Sequence, residues 1–475
     1  MQAGRVLRNY LSVTPHHENP RELAVGIVDR VERRNAYADV LLSARLDEAA
    51  LPPADGALLT RLVYGTLRWR ERIDWVLARL LRDPLDKLDP LVRNLLRVGG
   101  YELLFLDRVP SYATVNELVE MAKRRAGPGK ARLVNAVLRR IADREREAWS
   151  PAADTGNAAE LAALVSHPPW LVDLWRERFG AVESRRLMEA SNDDAPLVLR
   201  ANRLRVTRDD LVRRLRSHGV EARAGTWSPL AVRLRGASSP ARLAEFREGL
   251  CQVQGEASQM VGFLAAPEPG MRVLDVCAAP GGKTTHLAEM MEGRGEVVAC
   301  DVSERGLERL ADNARRLGLD CIRTQACDAV RGLPGEPGSF DRVLVDAPCS
   351  GLGTLRAHPE IRWRREPRDL HRLAALQAEI LEQAATRVAT GGLLVYATCT
   401  LSRLENEEVV EGFLERHREF VVEEAAEHLP SSARSMAAEP YFLALPHRHD
   451  TEGFFAARLR RPAAGRVVPG RSSDP

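Results

Sequence analysis

From Val273 onward, short apolar runs alternate with helical stretches, and this rhythm constrains the fold more than any other feature of the chain. The runs fall at 273–276 (VLDV), 297–300 (VVAC), 322–326 (IRTQA), 343–345 (VLV) and 393–396 (LLVY). Continuous apolar runs between helices describe a parallel sheet buried on both faces. The expected fold class here is α/β, a doubly wound sheet whose ligands lie at the carboxyl ends of its strands.

Upstream the period changes. Between Pro20 and Ala142 apolar residues recur at helical spacing, with Leu23, Ile27 and Val31 on one stripe, Leu58, Leu59, Leu62 and Val63 on another, and Val134, Val137, Leu138 and Ile141 on a third. Breaks such as Asp89-Pro90 separate them, so this part reads as all-helical. Pro151 to Asn157 reads as a linker, and the string beginning His167-Pro168-Pro169-Trp170 opens a helix ending near Gly180. Short strands at 197–202 and 232–234 flank a helix around 209–217, a small α+β unit. A chain of 475 residues has room for several domains, because single cores stop growing beyond about 250 to 300 residues. The expected limits are 1–148 for the helical domain, 160–255 for the α+β unit, 256–462 for the α/β domain and 463–475 for a disordered tail.

Seven cysteines, an odd number with no Cys-x-x-Cys pair and no zinc-like Cys/His spacing, indicate neither a disulfide framework nor a metal. That usage favours a reducing, cytoplasmic setting. No stretch reaches the ~18 apolar residues of a membrane span, and no signal peptide opens the chain, so no membrane association is expected. The net charge of +3 is unevenly spread, +6 over residues 1–150, +3 over 151–250 and −6 over the remainder. A basic front suits a polyanionic partner. Only four lysines, at 87, 123, 130 and 283, stand among 65 arginines, which marks Lys283 as a rare choice.

The first strand of the α/β domain runs into Cys277, Ala278, Ala279, Pro280, Gly281, Gly282 and Lys283, small residues that let a ligand approach the backbone before a helix begins. The spacing matches neither a dinucleotide fingerprint nor a Walker phosphate loop. Asp301 ends the second strand, where a carboxylate accepts the hydroxyls of an unphosphorylated ribose. Asp328 follows the third strand and suits an adenine amino group, or else closes a turn. Strands four and five end in Asp346-Ala347-Pro348-Cys349 and Ala397-Thr398-Cys399. Cys300, Cys321 and Cys327 read as small core hydrophobes. Cys349 and Cys399 lie just beyond strands, where a thiol can be accessible and activated.

Two thiols beside a nucleoside-bearing cofactor fit a particular chemistry. Carbon 5 of cytosine is a weak nucleophile until a thiolate adds to carbon 6; a second thiol can assist the later elimination. An acid such as Asp346 can hydrogen-bond the base while charge develops. On chemistry alone either cysteine could attack.

At these residues the sequence closely resembles the RNA 5-methylcytosine methyltransferases of the RsmB type, also called Sun or Fmu. The matching strings are 275–284 (DVCAAPGGKT), 346–351 (DAPCSG), 358–363 (HPEIRW), 391–400 (GGLLVYATCT) and 452–455 (EGFF). Val109-Pro110, Val115-Asn116-Glu117 and 133–139 (LVNAVLR) resemble the NusB-type RNA-binding fold found at the front of this branch. The resemblance implies a Rossmann-like methyltransferase domain using S-adenosyl-L-methionine, preceded by a NusB-like domain and a small α+β linking domain. Cys277 to Lys283 would wrap the cofactor, Asp301 would hold its ribose and Asp328 its adenine. Asp346 would lie between cofactor and base, with Cys399 as nucleophile and Cys349 assisting release. The implied partner is RNA, as 16S ribosomal RNA or a small-subunit assembly intermediate, met by a monomer with no metal. Lys123, Arg124, Arg125, Lys130, Arg132, Arg139 and Arg140 suit phosphate contacts. Alternatives are the same chemistry on transfer or another RNA, and a non-catalytic RNA-binding regulator, which the intact cofactor loop and Cys399 disfavour. The chain departs from the family pattern at Gly255, Glu360, Thr400 and Glu452, where Asp, Asp, Ser and Asp are usual; Gly255 removes a possible carboxylate.

Overall fold

A computed structural model describes residues 19–34, 36–48, 51–152, 158–235 and 240–463. The core of the expected linker (153–157) and nearly all of the expected tail lie outside these residues. The chain divides into two compact units, Met1–Arg176 with His358–Arg364, and Glu177–Ala357 with Arg365–Pro475. No described helix is long and apolar enough to cross a membrane.

The first unit is helical, as its periodicity requires: α1 (Pro20–Arg34), α2 (Ala38–Glu48), α3 (Pro53–Arg68), α4 (Arg70–Ala78), α5 (Pro90–Phe105), α6 (Ser111–Ala126), α7 (Pro128–Ala142) and α8 (Ala158–Val165). Proline at the first position starts several of them, where its missing N–H has no intrahelical role. Asp89 caps α5, its carboxylate accepting from Leu91 N at 2.9 Å. α5 is the central helix, packed against α1, α3, α4, α6 and α7, with Leu95, Leu96 and Val98 fully buried. Its charged residues are paired: Arg97 binds Asp74 at 2.7 Å and Glu32 at 3.0 Å, and Glu102 binds Arg21 of α1 at 2.7 Å. The segment His358–Arg364 joins this unit through Trp363 Nε1, which donates to Leu67 O at 2.6 Å.

A helical stretch, α9 (Pro169–Ala190), follows; Gly180 at φ 75° breaks it where the helix was expected to end, and a second piece continues beyond. The α+β unit comprises β1 (Leu197–Ala201), α10 (Arg208–Ser217), β2 (Glu221–Ala224), β3 (Ala231–Arg235) and β4 (Cys251–Val253). Its antiparallel sheet runs β2-β3-β1-β4.

The α/β part contains α11 (Glu256–Ala265), β5 (Arg272–Asp275), α12 (Gly282–Met290), β6 (Glu296–Asp301), α13 (Glu304–Leu317), β7 (Ile322–Ala326), β8 (Phe340–Asp346), α14 (Pro367–Ala385), β9 (Val388–Thr398), α15 (Glu407–Arg416), β10 (Val421–Glu423), β11 (Ala437–Ala438), β12 (Tyr441–Ala444) and β13 (Phe454–Arg460). Every apolar run singled out from the sequence is a strand of one sheet, ordered β11-β12-β13-β9-β8-β5-β6-β7, with β10 on β13. β5 to β9 pair in parallel. β13 then enters antiparallel beside β9, setting Phe455 opposite Thr398. Two apolar layers cover the faces, one holding Val273, Leu287, Val297, Leu344 and Phe454, the other Leu274, Val343, Leu381, Tyr396 and Phe455. Truncating any of these large side chains would cost about 2 to 5 kcal/mol.

Candidate active site

The sheet order reverses at β5, which has β6 on one side and β8 on the other, so the loops leaving β5 and β8 part and open a crevice at the strand ends. The sequence-predicted residues lie at or just beyond the carboxyl ends of β5 to β9, along this edge of the sheet. The loop from Cys277 to Gly282 is pinned by Ala278 N donating to Cys300 O at 2.8 Å and by Ala279 N donating to Asp301 Oδ2 at 3.0 Å. Gly281 turns it at φ 99°, and a Cβ there would also lie 2.6 Å from Leu310, so only glycine fits. At Gly282 an added Cβ would meet nothing within 4 Å, so the backbone is open to a ligand.

Beneath this loop lies Asp275, which the sequence reading did not single out. It is fully buried, accepts from Thr284 Oγ1 at 2.7 Å, and its other oxygen has no hydrogen-bond partner. Burial pushes its carboxyl up to about 7. Asp301 takes Ser303 N on Oδ1 at 2.8 Å besides Ala279 N on Oδ2. Asp328 takes Val330 N at 3.1 Å and pairs with Arg331 at 3.2 Å, closing a turn beyond β7. Cys277 packs into the apolar layer, and burial among aspartates pushes its thiol up.

β8 and β9 are parallel neighbours, so their following loops bring Cys349 and Cys399 to an Sγ–Sγ distance of 3.4 Å. All seven cysteines are free. From the other side of the crevice Lys283 reaches Asp346 Oδ2 at 2.6 Å, its ammonium 4.9 Å from the centre of the Phe454 ring. Burial opposes the Lys283 charge, but Asp346 holds its pKa above the ordinary value. The two thiols diverge. Hydrogen bonding with Cys349 pulls Cys399 down, and Lys283 adds to this against burial and Asp346. Cys349 is pushed up by that same bond, by burial and by Glu405.

Glu405 joins the two cysteine loops and was not anticipated. Fully buried, it accepts from Ser350 N at 2.7 Å, Ser350 Oγ at 2.6 Å and Gln377 Nε2 at 3.1 Å. Ser350 Oγ lies 2.7 Å from Thr400 Oγ1, while Asn406 accepts from Thr398 Oγ1 at 2.6 Å and donates to Thr400 O at 3.1 Å. Arg365 donates to Ser350 O at 3.0 Å. The glycines Gly353 and Gly453 complete the clamp: Gly353 N donates to Cys399 O at 2.9 Å and Gly453 N to Gly353 O at 2.7 Å. A Cβ on Gly353 would lie 2.1 Å from Gly453 O. The EGFF string thus works at the cysteine loop.

The departures at Gly255 and Glu452 meet in space. Gly255 is the N-cap of α11 and supplies no side chain. Glu452 occupies the room, its Oε1 accepting from Ser258 N at 2.9 Å, so a residue far along the chain caps the helix.

Comparison with known proteins bears on this site. The family model described as 16S rRNA methyltransferase RsmB/F matches residues 263–460, that of the NusB family 18–143, and that of an RsmF/B-like ferredoxin-like domain 167–240. The chain is 34% identical to a probable ribosomal RNA small subunit methyltransferase B of Bacillus subtilis over 444 residues, covering 93% of this chain and 98% of the relative. It is also 34% identical to the ribosomal RNA small subunit methyltransferase B of Serratia proteamaculans, over 92% of this chain and 97% of the relative. Among solved structures, PH0851 superposes with a TM-score of 0.80 at 29% identity, over 94% of this chain and 99% of its own.

Proposed function

Because the chain belongs to the RsmB/F family of 16S rRNA methyltransferases, we propose that it methylates carbon 5 of a cytosine in 16S ribosomal RNA through a covalent bond between Cys399 and carbon 6 of the base. It is an S-adenosylmethionine-dependent enzyme, and that cofactor supplies an electrophilic sulfonium methyl group. The residues of the crevice fit it. Small side chains from Ala278 to Gly282 leave the backbone approachable, Asp301 keeps lone pairs for ribose hydroxyls, and the free oxygen of buried Asp275 lies beneath the loop. Cys277, Ala278, Ala279, Pro280, Gly281, Gly282 and Lys283 would line its methionyl and ribose portions, with Asp328 toward the adenine.

The observation that carries the chemistry is the pair of free thiols 3.4 Å apart, unequally placed relative to one ammonium group. Lys283 and the S–H of Cys349 favour the thiolate of Cys399, which adds to carbon 6. Asp346, held by Lys283, accepts a hydrogen bond from the exocyclic amino group of the base, and the Lys283 ammonium offsets the negative charge that spreads over the ring. Cys349 then assists loss of the carbon 5 proton and release of the Cys399 sulfur. The target base must be splayed from its stack to reach these groups.

RNA meets the helical domain along an open groove of about 1200 Å³ on α6 and α7, bordered by Asn116, Lys123, Arg132, Asn135 and Arg139. Tyr112 at its edge is 77% exposed, suited to stacking on an unpaired base. Lys123 is itself paired with Glu120 of the same groove, and Arg124 and Lys130 are engaged by Glu22 and Asp89. The proposal includes the limits 1–148, 160–255 and 256–462 for the three domains, and a cytoplasmic monomer acting on ribosomal RNA or an assembly intermediate. Bisulfite sequencing of total RNA from cells lacking the protein tests the substrate. One 16S cytosine loses its methyl group; intact 16S methylation with a loss in another RNA would move the substrate elsewhere.

A further inference from the structure

Outside the catalytic crevice, the first unit gathers three metal-ligating side chains that no proposed step uses. Asp39 stands in the first turn of α2, and His358 and Glu360 come from the segment that packs on the helical domain. One ligand atom from each lies within 4.8 Å of the other two. Glu360 is 1% exposed, with one oxygen accepting from Ala38 N at 3.2 Å and the other without a partner. Asp39 Oδ1 and His358 Nδ1 are likewise buried without hydrogen-bond partners. Three buried polar atoms left unsatisfied at one spot are costly, because each gave up water and gained nothing in exchange.

Two neighbouring guanidinium groups are directed at backbone carbonyls. Arg362, next but one in sequence to Glu360, donates to Ser166 O at 2.8 Å, and Arg364 donates to Ala36 O while its guanidinium lies 5.0 Å from the centre of the Tyr37 ring. Arg68 is near enough for its charge to be felt by Tyr64. Burial and the charges of Asp39 and Glu360 push the Tyr64 phenol up, so it stays a neutral neighbour. His358 is held edge-on to Tyr37, ring centres 6.2 Å apart, which orients its imidazole.

We propose that Asp39, His358 and Glu360 form a binding site for a divalent first-row transition cation, Zn²⁺, Mn²⁺ or Co²⁺, that ties the His358–Arg364 segment to the start of α2. Two carboxylates and a neutral imidazole balance the cation's charge. The nitrogen donor selects against Mg²⁺ and Ca²⁺, which prefer all-oxygen sites. Bonds of about 2.0 to 2.2 Å place tetrahedral ligands roughly 3.4 Å apart, so from separations of at most 4.8 Å the three atoms close by no more than about 1.4 Å on binding. A fourth position is left for water.

The test uses the full-length protein, freed of metal by chelator dialysis and titrated with Co²⁺. One equivalent binds with the visible d–d bands of a four-coordinate oxygen and nitrogen environment, without the intense ultraviolet band of a cobalt–thiolate bond that would signal capture by the cysteines. His358→Ala and Asp39→Asn each weaken binding at least tenfold, with circular dichroism matching the parent protein, and Zn²⁺ raises the melting temperature of the parent alone. Absence of stoichiometric binding, a thiolate band on the single equivalent, or unchanged affinity in both variants would overturn the assignment.

Discussion

Replacing Gly255 by aspartate tests whether the cap of α11 has moved to another part of the chain. A Cβ at position 255 would lie 2.1 Å from Glu452 Oε1 and 2.3 Å from its Cδ, so the carboxylate must leave. Its departure gives up the Ser258 N bond at 2.9 Å, a capping interaction typically worth about 1 kcal/mol. The displaced carboxylate is the far end of a flexible, half-buried side chain, so crowding adds no more than about 1 kcal/mol. Gly255→Asp alone should therefore cost about 1 to 2 kcal/mol, and Glu452→Asp alone, too short to reach Ser258, about 1 kcal/mol. In the double variant the carboxylate introduced at position 255 caps the helix itself, while the shortened side chain at position 452 vacates the space. Its loss should be near zero, a coupling of about 2 kcal/mol between the sites. Denaturant unfolding gives the four free energies, and amide hydrogen exchange over 256–264 reports the helix directly. Because Gly453 holds Gly353 and so Cys399 O, transfer activity should fall with Gly255→Asp and recover in the double variant. Additive losses in the cycle would refute the reasoning.

Asp275→Asn removes a carboxyl that burial holds at about 7 when folded, against an unfolded value near 3.9. Ionisation of such a group opposes folding, so the variant should gain stability relative to the parent as pH rises from 4 to 7 and keep that gain above 7. The gain has an upper bound of about 4 kcal/mol; equal differences in melting temperature at pH 4 and pH 8 would contradict this. Lys283→Met takes away the cation that favours the Cys399 thiolate. Its pH profile of kcat/KM should shift alkaline, whatever the fall in absolute rate; an unshifted limb would remove Lys283 from thiol activation. Arg200 and Glu289 are both fully buried and paired at 2.7 Å, and Arg200 also donates to Gly282 O at 2.7 Å. Arg200→Met should cost about 3 to 5 kcal/mol by leaving Glu289 uncompensated, and Arg200→Met with Glu289→Leu should recover most of it in urea midpoints.

Four of the five parallel strands were legible because burial on both faces writes them as apolar runs, and Cys349 and Cys399 because two of those runs end beside them; the edge strand β7 (IRTQA) is largely exposed, against the expectation of burial on both faces, and was placed only by the rhythm of its neighbours. The antiparallel strands were harder. β2 (EARA) and β4 (CQV) are too short or too polar to carry a period, and β13 was seen only as the EGFF string. Glu405 lies in a run of charged residues, RLENEE, that reads as a solvated surface, yet it is buried because the two loops close over it. Gly255 and Glu452 looked like two independent departures. Only the fold brings them together, and with them the reason that both are tolerated. The HPEIRW string was in view, but nothing in it points to Asp39, more than 300 residues earlier in the chain.

The roles of the two thiols are the centre of the account, and trapping tests them most directly. Cys349→Ala, incubated with 16S RNA and S-adenosylmethionine, should accumulate a protein–RNA adduct that survives denaturing electrophoresis, whereas Cys399→Ala should give none and transfer no methyl group. An adduct from the Cys399 variant, or none from the Cys349 variant, would contradict the assignment.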